Sequence, residues 1–369
     1  MMITAGNGFI EQSDRYAFNN AGESLKKYIL LECGELAYNH GASKLRPYGS
    51  CFALTTVEKA RIPFVYHCFS VEKSNPEFLS IELNGANVEN QLRKIVSSGA
   101  RMDGLLNIAY SEYTEVTVQL PKKEEQDWIA KFFKQLDTLI TLHQRKYEKL
   151  VNIKKSMLDK MFPKNGASVP EIRFKGFTDL WEQRKLEEYL EVSGQKNFEG
   201  IYTKEDVLSV SGDFGIVNQI EFQGRSFAGA SVANYGVVET GDIVYTKSPL
   251  KSNPYGIIKA NKGKNGIVST LYAVYKPKQS ANPEFVQNYF EQDARMNNYM
   301  HPLVNKGAKN DMKVSAENAL KGQIVFPDIK EQRTISEFFR NLDTLITLHQ
   351  RKLEKLQNIK KSCLEKMFV

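Results

Sequence analysis

The sequence contains no run of about 18 or more uncharged apolar residues, although 41% of its 369 residues are hydrophobic. A helix needs about 20 mostly apolar residues to cross a bilayer, so no membrane span is predicted. Residues 1–6 also lack the charged start and apolar stretch of a secretory signal. We therefore expect a cytoplasmic protein.

Cysteine is scarce, and its spacing is uninformative. The chain has four cysteines, Cys33, Cys51, Cys68 and Cys363, with no C-x-x-C pair among them. Disulfide frameworks and zinc sites both need closely grouped or paired cysteines, so neither is predicted. We expect the four to be small buried hydrophobic side chains, and we expect no metal ion or cofactor.

The chain has no large excess of charge, and its formal charge of +7 is unevenly distributed. Residues 122–161 carry 10 basic and 6 acidic side chains, and residues 328–367 carry 9 and 6, so the remainder of the chain is neutral in sum. Bulk charge therefore does not predict a polyanion partner for the rest of the chain. Basic residues there would have to cluster in loops to contact phosphates.

A long internal repeat organises the chain. Residues 136–162 and 342–368 are identical at 23 of 27 positions. Shorter matches occur at nearly the same offset, and they pair residues 34–38 with 241–245, 75–78 with 282–285, and 99–101 with 307–309. The chain is therefore two copies of one unit, each a diverged globular part followed by a nearly invariant segment.

The invariant segments have the periodicity of long amphipathic helices without internal glycine or proline, and Pro121 and Pro327 stand just before them. About 40 residues give a helix of roughly 60 Å, which cannot bury its apolar stripe alone. We predict that the two helices pair as an antiparallel coiled coil and that a partner docks on both, because solvent-face residues also recur. The predicted interface residues are Ile129, Phe132, Leu136, Ile140, His143, Leu150, Ile335, Phe338, Leu342, Ile346, His349 and Leu356.

The globular parts contain β-rich runs such as 242–246 and 266–275, separated by glycine and asparagine turns, which predicts mixed α/β domains with a curved sheet. Basic, aromatic and amide side chains cluster in their loops. Arg and Lys can neutralise phosphates or bind guanine, and Asn can read adenine. The candidate DNA-binding residues are Tyr38, Asn39, Lys44, Arg46, Arg101, Tyr245, Lys247, Lys251, Asn253, Lys262, Lys264, Lys306, Lys309 and Asn310.

Three features together resemble one known family. They are the duplicated Q-x-x-I-x-x-F-F-x-x-L-D-x-L-I segments at 126–140 and 332–346, the Leu-x-x-x-Lys tails that end in Met-Phe, and the linker 170–178 with the following 181–186. Over essentially its whole length the chain resembles the specificity subunits of type I restriction-modification systems. The resemblance implies an α+β protein in which two target-recognition domains read the halves of a bipartite DNA site and are separated by two long antiparallel helices. In that family the helices set the gap and hold methyltransferase subunits, restriction subunits join the complex, and the specificity subunit itself is not catalytic.

These features divide the chain as follows. The resemblance assigns 1–121 to a first target-recognition domain, 122–162 to the central helix, 163–180 to a linker, 181–327 to a second target-recognition domain and 328–369 to the C-terminal helix. One departure concerns the start of the chain. Met1 aligns near Val207, so residues 163–207 have no counterpart before the first domain, and we expect that domain to be shortened. An impaired, truncated or recombined gene copy and a segment supplied by another chain are both open explanations.

Enzyme interpretations find little support in the sequence. The strings nearest to the N-P-P-[FY] motif of adenine methyltransferases are 253–255, 75–78 and 282–285, and no G-x-G-x-x-G loop follows a strand. His143 and His349 have no accompanying nucleophile or carboxylate. The serious alternative is a coiled-coil adaptor whose globular ends bind proteins, which salt-insensitive and sequence-blind behaviour with DNA would indicate.

Overall fold

The computed structural model describes residues 1–16, 22–96, 106–164, 166–247, 253–306 and 312–368. The chain divides into two compact units. Unit 1 comprises Met1–Arg145 with His349–Val369, and unit 2 comprises Lys146–Leu348. Each unit therefore contains one part of each long helix.

Unit 1 contains short antiparallel strands followed by helices. Its strands are β1 (Met2–Thr4), β2 (Gly8–Ile10), β3 (Ile29–Glu32), β4 (Leu36–Asn39), β5 (Ser50–Ala53), β6 (Lys59–Ile62) and β7 (His67–Phe69). Its helices are α1 (Gln12–Arg15), α2 (Pro76–Glu82), α3 (Ala86–Ile95), α4 (Tyr110–Thr114) and the first part of α5 (Lys123–Lys160). β4 lies between β5 and β7, β1 pairs with β2, and β3 pairs with β6.

Strand β4 is buried on both faces because its alternate side chains enter two cores. Leu36 and Tyr38 pack in a core with Leu92 of α3, whereas Ala37 packs in a second core with Leu31 of β3. Successive side chains of a strand point to opposite faces, so one short run supplies both cores.

Unit 2 repeats this element order with additional strands. Its strands are β8 (Glu182–Lys185), β9 (Leu190–Val192), β10 (Leu208–Ser211), β11 (Gly215–Asn218), β12 (Gly236–Val238), β13 (Ile243–Thr246), β14 (Ile258–Ala260), β15 (Gly266–Val268), β16 (Tyr272–Pro277), β17 (Asn305–Lys306), β18 (Met312–Lys313) and β19 (Gln323–Phe326). Its helices are the last part of α5, α6 (Gln219–Gln223), α7 (Pro283–Phe290), α8 (Asp293–Met300) and the first part of α9 (Ile329–Met367). The main sheet has the order β14-β13-β16-β9, and β19 pairs with β8.

The repeat seen in the sequence is present in the local geometry. Gly34 and Gly241 precede β4 and β13 with φ angles of 92° and 95°, a region that favours glycine. The predicted β-rich run 242–246 contains β13. The run 266–275 is two strands rather than one, because the N–H of Tyr272 closes a turn on the carbonyl of Ser269 at 3.0 Å.

The two long helices run antiparallel within each unit. In unit 1 the rings of Phe133 and Phe368 are 6.0 Å apart, and Asp137 of α5 pairs with Lys360 of α9. In unit 2 the rings of Phe339 and Phe162 are 6.1 Å apart. These two residues correspond in the repeat to Phe133 and Phe368, so both units contain the same contact. The predicted fold class, α+β with two long antiparallel helices and an internal repeat, is confirmed.

The cysteine prediction holds for one residue of four. Cys51 is buried, Cys68 and Cys363 are half-buried, and Cys33 is exposed, with all four thiols free. No helix in the described part of the chain has the length and apolar character that a membrane crossing requires.

Candidate nucleic-acid interface

The clearest exposed basic loop in unit 2 follows β14. Its turn is fixed by the buried Asn261, whose Oδ1 accepts from the N–H of Gly263 at 3.1 Å and whose Nδ2 donates to the carbonyl of Lys264 at 3.1 Å. The side chains of Lys262 and Lys264 are exposed, and their ion pairs with Glu284 and Glu221 are long, at 3.7 and 3.6 Å. A fixed backbone thus presents two cations that weak surface pairs do not immobilise.

In unit 1, the predicted basic residues of the β4–β5 turn differ from one another in accessibility. Lys44 is exposed. Arg46 is half-buried, and its Nη1 donates to the carbonyl of Asn84 at 2.6 Å. Burial lowers the pKa of Arg46, although the carboxylate of Glu89 opposes this shift. Asn39 accepts from the N–H of Gly41 at 3.0 Å, so Arg46 and Asn39 both hold backbone, and Lys44 is the accessible cation of the turn.

Two predicted contact residues, Tyr38 and Tyr245, lie in the cores of their units, and each is 1% exposed. Their hydroxyls donate to the carbonyls of Tyr48 and Tyr255 at 2.7 and 2.8 Å, and burial raises the pKa of both phenols. The two tyrosines occupy equivalent positions in the repeat, and each hydroxyl binds the backbone of an equivalent turn. We therefore do not retain them as DNA contacts.

The other predicted contacts are less exposed or lie outside the described residues. Lys247 is half-buried, and burial lowers its pKa, with a further contribution from Lys196. The amide of Asn253 donates to Asp293. Lys306 belongs to β17, where its backbone alone is described. Four predicted residues lie outside the described part of the chain, namely Arg101, Lys251, Lys309 and Asn310.

At each Phe-Phe pair the predicted apolar stripe included the first phenylalanine, whereas the second one is the buried residue. Phe133 and Phe339 are buried, whereas Phe132 is 41% exposed. Of the other predicted interface residues, Leu136, Ile335 and Leu342 are buried. The remaining ones are half-buried, and they are Ile129, Ile140, His143, Leu150, Phe338, Ile346, His349 and Leu356. The Nδ1 atoms of His143 and His349 are 2.8 Å apart, so these histidines contact each other at the helix seam within unit 1.

A repeated anchor at the start of both long helices was not predicted from the sequence. Gln126 accepts from the N–H of Asn75 at 2.9 Å and donates to the carbonyl of Pro121 at 2.8 Å. Gln332 makes the same two bonds with Asn282 and Pro327, both at 2.9 Å.

The asparagines of this anchor also cap helices. The side chains of Asn75 and Asn282 accept from the third residue of α2 and α7, at Phe78 and Phe285. The Asn-Pro-Glu-Phe strings are therefore helix starts pinned to the long helices. Their identity in both repeats was the signal that could have revealed this role.

Exposed aromatic residues around α6 were also missed. Phe214 and Phe222 lie 5.1 Å apart, and the Arg225 guanidinium lies 4.6 Å from the centroid of Phe227. All four side chains are exposed. Exposed aromatic residues beside a cation are unusual on a surface with no partner, so this region is a further candidate contact surface.

A partly buried charge cluster joins the helices to the domain in unit 2. Lys154 of α5 lies 2.7 Å from Glu291 and 2.7 Å from Asp343 of α9, with Lys259 of β14 nearby. Burial alone would raise the pKa of Glu291, but the ammonium groups of Lys259 and Lys154 outweigh it and hold that pKa below its ordinary value of 4.5. The cluster therefore stabilises the folded unit in its ionised form.

We predict that the stability of unit 2 falls as pH drops below about 4.5, in part through Glu291. Its folded pKa is lower than its unfolded pKa, so the stabilisation is complete above the unfolded pKa and is lost as pH falls through the folded one. Glu291→Gln should cost about 2 kcal/mol at neutral pH and make the acid-side fall shallower in urea unfolding. The control Glu187→Gln removes an exposed carboxylate and should keep the wild-type profile; an unchanged profile for Glu291→Gln would contradict the assignment.

Comparisons with known proteins agree with this architecture. No protein-family model matches the chain. A Methanocaldococcus jannaschii protein, provisionally named the type I restriction enzyme MjaX specificity subunit, is 22% identical over 359 residues, which are 92% of this chain and 78% of that protein.

Two solved structures are similar to this chain over most of its length. The S subunit of a type I restriction-modification system from M. genitalium matches with a TM-score of 0.51 at 13% identity, covering 93% of this chain and 85% of its own. The HsdS subunit from Thermoanaerobacter tengcongensis matches with a TM-score of 0.43 at 16% identity, covering 92% and 81%. The curated relative and the repeated helices together make this chain similar to the type I restriction enzyme specificity subunits.

Proposed function

We propose that the chain is the sequence-specific DNA-binding subunit of a type I restriction-modification complex. Each unit reads one half of a bipartite double-stranded DNA site, and the chain positions methyltransferase and restriction subunits without performing catalysis itself. The observation that carries the proposal is the unequal divergence of the two parts of the repeat. The helix segments and their glutamine anchors are nearly identical in both copies, whereas the loops of the globular parts have diverged.

This contrast between similar helices and diverged loops fits a DNA-recognition subunit better than an enzyme. A duplicated scaffold can present the same docking surface twice to two copies of one partner, and its different loops can recognise different sequences. In the proposed reader, Lys262 and Lys264 contact phosphates in one half-site, and Lys44 does so in the other. Additional contacts are proposed for Lys306 in β17 and for the aromatic surface beside Arg225. The predicted residues outside the described ranges, Arg101, Lys251, Lys309 and Asn310, remain candidates as well.

The test is to map methylated bases in cells that carry the chain with its methyltransferase partner. The expected result is methylation at two different half-sites separated by a fixed number of unread base pairs. Gel-shift titrations of the complex should also show affinity that falls steeply with salt. Methylation confined to a continuous site, or salt-insensitive and sequence-blind DNA binding, would contradict the proposal and support an adaptor.

The exposed loop after β14 gives a sharper expectation. Replacing Lys262 and Lys264 together by alanine should weaken DNA binding by a similar factor on all sequences and lower the slope of log affinity against log salt by about 2. The control, Lys175→Ala with Lys185→Ala, removes the same charge from exposed sites in the linker and β8. If both double variants retain the wild-type salt slope, the loop does not contact phosphates.

A further inference from the structure

Residues 170–192 of unit 2 form a segment that covers the start of α9; we call it the cover segment. The Nε and Nη2 atoms of Arg173 donate to the two carboxylate oxygens of Glu331, each at 2.8 Å. The ring of Phe174 lies 5.8 Å from that of Phe338 in an edge-on arrangement. The cover segment thus places a cation and an aromatic ring on the first turns of the helix.

The rest of the cover segment adds a tryptophan and two strands. Trp181 is buried against Phe162 and Phe285, at ring distances of 6.2 and 5.9 Å. Strand β8 pairs with β19, and β9 pairs with β16 at the edge of the main sheet. A large part of the fold of unit 2 therefore depends on these residues.

In the described part of unit 1, the equivalent receiving surface is exposed. Glu125 and Phe132 occupy the positions of Glu331 and Phe338, and both are exposed. Leu120 is 44% exposed, whereas its counterpart Phe326 is 1% exposed beneath the cover segment. Trp128, one turn into α5, is 71% exposed. These residues form an apolar surface with a carboxylate beside it.

Two strand edges in unit 1 correspond to the edges that the cover segment pairs with in unit 2. In the described part of unit 1, β7 pairs with β4 alone, whereas its counterpart β16 also pairs with β9. Residues 117–120 correspond to β19 but form no strand among the described residues. The amide of Gln91 bonds the N–H and carbonyl of Thr117, at 2.9 and 2.7 Å, as a peptide group would.

The receiving surface of unit 1 is anchored in the same way as its counterpart in unit 2. Gln126 makes the same anchor bonds as Gln332, so the start of α5 is held in the same way as the start of α9. Because the positions match in both units, the occupant of unit 2 defines the chemistry that fits unit 1. This chemistry is an arginine for Glu125, an aromatic ring for Phe132 and Trp128, and strands for the two edges.

We propose that the surface formed by Leu120, Glu125, Trp128 and Phe132, with the edge of β7, binds an extended Arg-Phe-containing segment of a partner polypeptide that pairs as a strand. The single copy of such a segment within these 369 residues is already engaged in unit 2. The occupant therefore resembles residues 170–192 in sequence.

The test uses a fluorescent synthetic peptide with the sequence of residues 168–193 and the full-length chain without DNA, so its result does not depend on the proposed function. Saturable binding is expected by fluorescence anisotropy. The same peptide with Arg173→Ala and Phe174→Ala should bind at least about tenfold more weakly. Hydrogen exchange should slow at residues 117–120 and stay unchanged at 323–326.

Two chain variants locate the binding. Glu125→Ala and Phe132→Ala change exposed side chains, so both should fold, and each should weaken peptide binding several-fold. No saturable binding, or binding that neither variant weakens, would overturn the proposal. Concentration-dependent dimerisation that Phe132→Ala abolishes would also overturn it, because a second copy of this chain would then be the occupant.

Discussion

Replacing Phe339 by alanine should destabilise unit 2 by about 3–5 kcal/mol. Phe339 is fully buried in the main core of unit 2, where its ring packs 6.1 Å from that of Phe162, just beyond the end of α5. Removing the ring loses its burial and leaves a cavity that a closely packed core cannot fill without distortion. The effect should be large because this residue joins both helices to the domain.

The measurement is urea unfolding followed by tryptophan fluorescence in a Trp128→Phe background. The sequence has two tryptophans, and Trp181 lies in the same core as Phe339, so the remaining signal reports on unit 2. Leu345→Ala, at an exposed position of α9 in unit 2, is the matched control and should change stability by less than about 1 kcal/mol. Equal losses for the two variants would show that burial of the Phe339 ring does not carry the stability of unit 2.

Replacing Arg173 by methionine should cost about 3 kcal/mol in unit 2. The guanidinium forms a two-pronged pair with Glu331, whose side chain is almost inaccessible to solvent. Without Arg173 the Glu331 carboxylate stays buried with no cation beside it. A buried charge that has lost its hydration and has no partner destabilises the folded state, whereas an exposed charge keeps its hydration. The same urea measurement in the Trp128→Phe background applies.

The control for this prediction separates the pair from its surroundings. The double variant Arg173→Met with Glu331→Leu removes both charges and should recover most of the loss, since apolar replacements of a buried pair are often tolerated. Glu337→Ala changes an exposed carboxylate of α9 in unit 2 and should lie within about 0.5 kcal/mol of the wild type. A double variant as unstable as Arg173→Met would mean that Glu331 is not the source of the cost.

The helical scaffold was predictable from sequence because its signals are local and repeated. Long helices without glycine or proline, beginning just after a proline, follow from periodicity and starting residues alone. In the structure the two long helices span Lys123–Lys160 and Ile329–Met367. The antiparallel pairing was also predictable, because two equal apolar stripes in one chain can cover each other in that direction.

The candidate site was predicted less well, for an identifiable reason. Composition marked Tyr38 and Tyr245 as contacts because they stand beside amide and basic residues, yet their rings fill cores. A phenol has an apolar body and one polar atom, so it suits a core whenever a backbone carbonyl can accept from its hydroxyl. That acceptor is ten residues away at Tyr48 or Tyr255, on a turn whose approach the sequence did not reveal.

The Phe-Phe pairs show the same limit on a smaller scale. Phe132 and Phe133 both fit the predicted apolar spacing, since neighbouring helix positions differ by about 100° and an apolar stripe can be that wide. Only the position of Phe368, which follows the end of α9, selects Phe133 as the buried residue. In unit 2 both aromatic positions are covered, because Phe174 packs on Phe338.

By itself, the sequence determined that this protein is a duplication, that its helices are long and paired, and that its loops rather than its helices have diverged. These properties depend on composition and spacing along the chain, which local propensity and periodicity govern. Tertiary structure alone decided which phenylalanine is buried, that Gln126 and Gln332 anchor the helices, and that Glu331 is covered while Glu125 is exposed. Those outcomes depend on contacts between residues far apart in the chain, and similar local sequences acquire different surroundings when, among the described residues, a segment is folded over one copy.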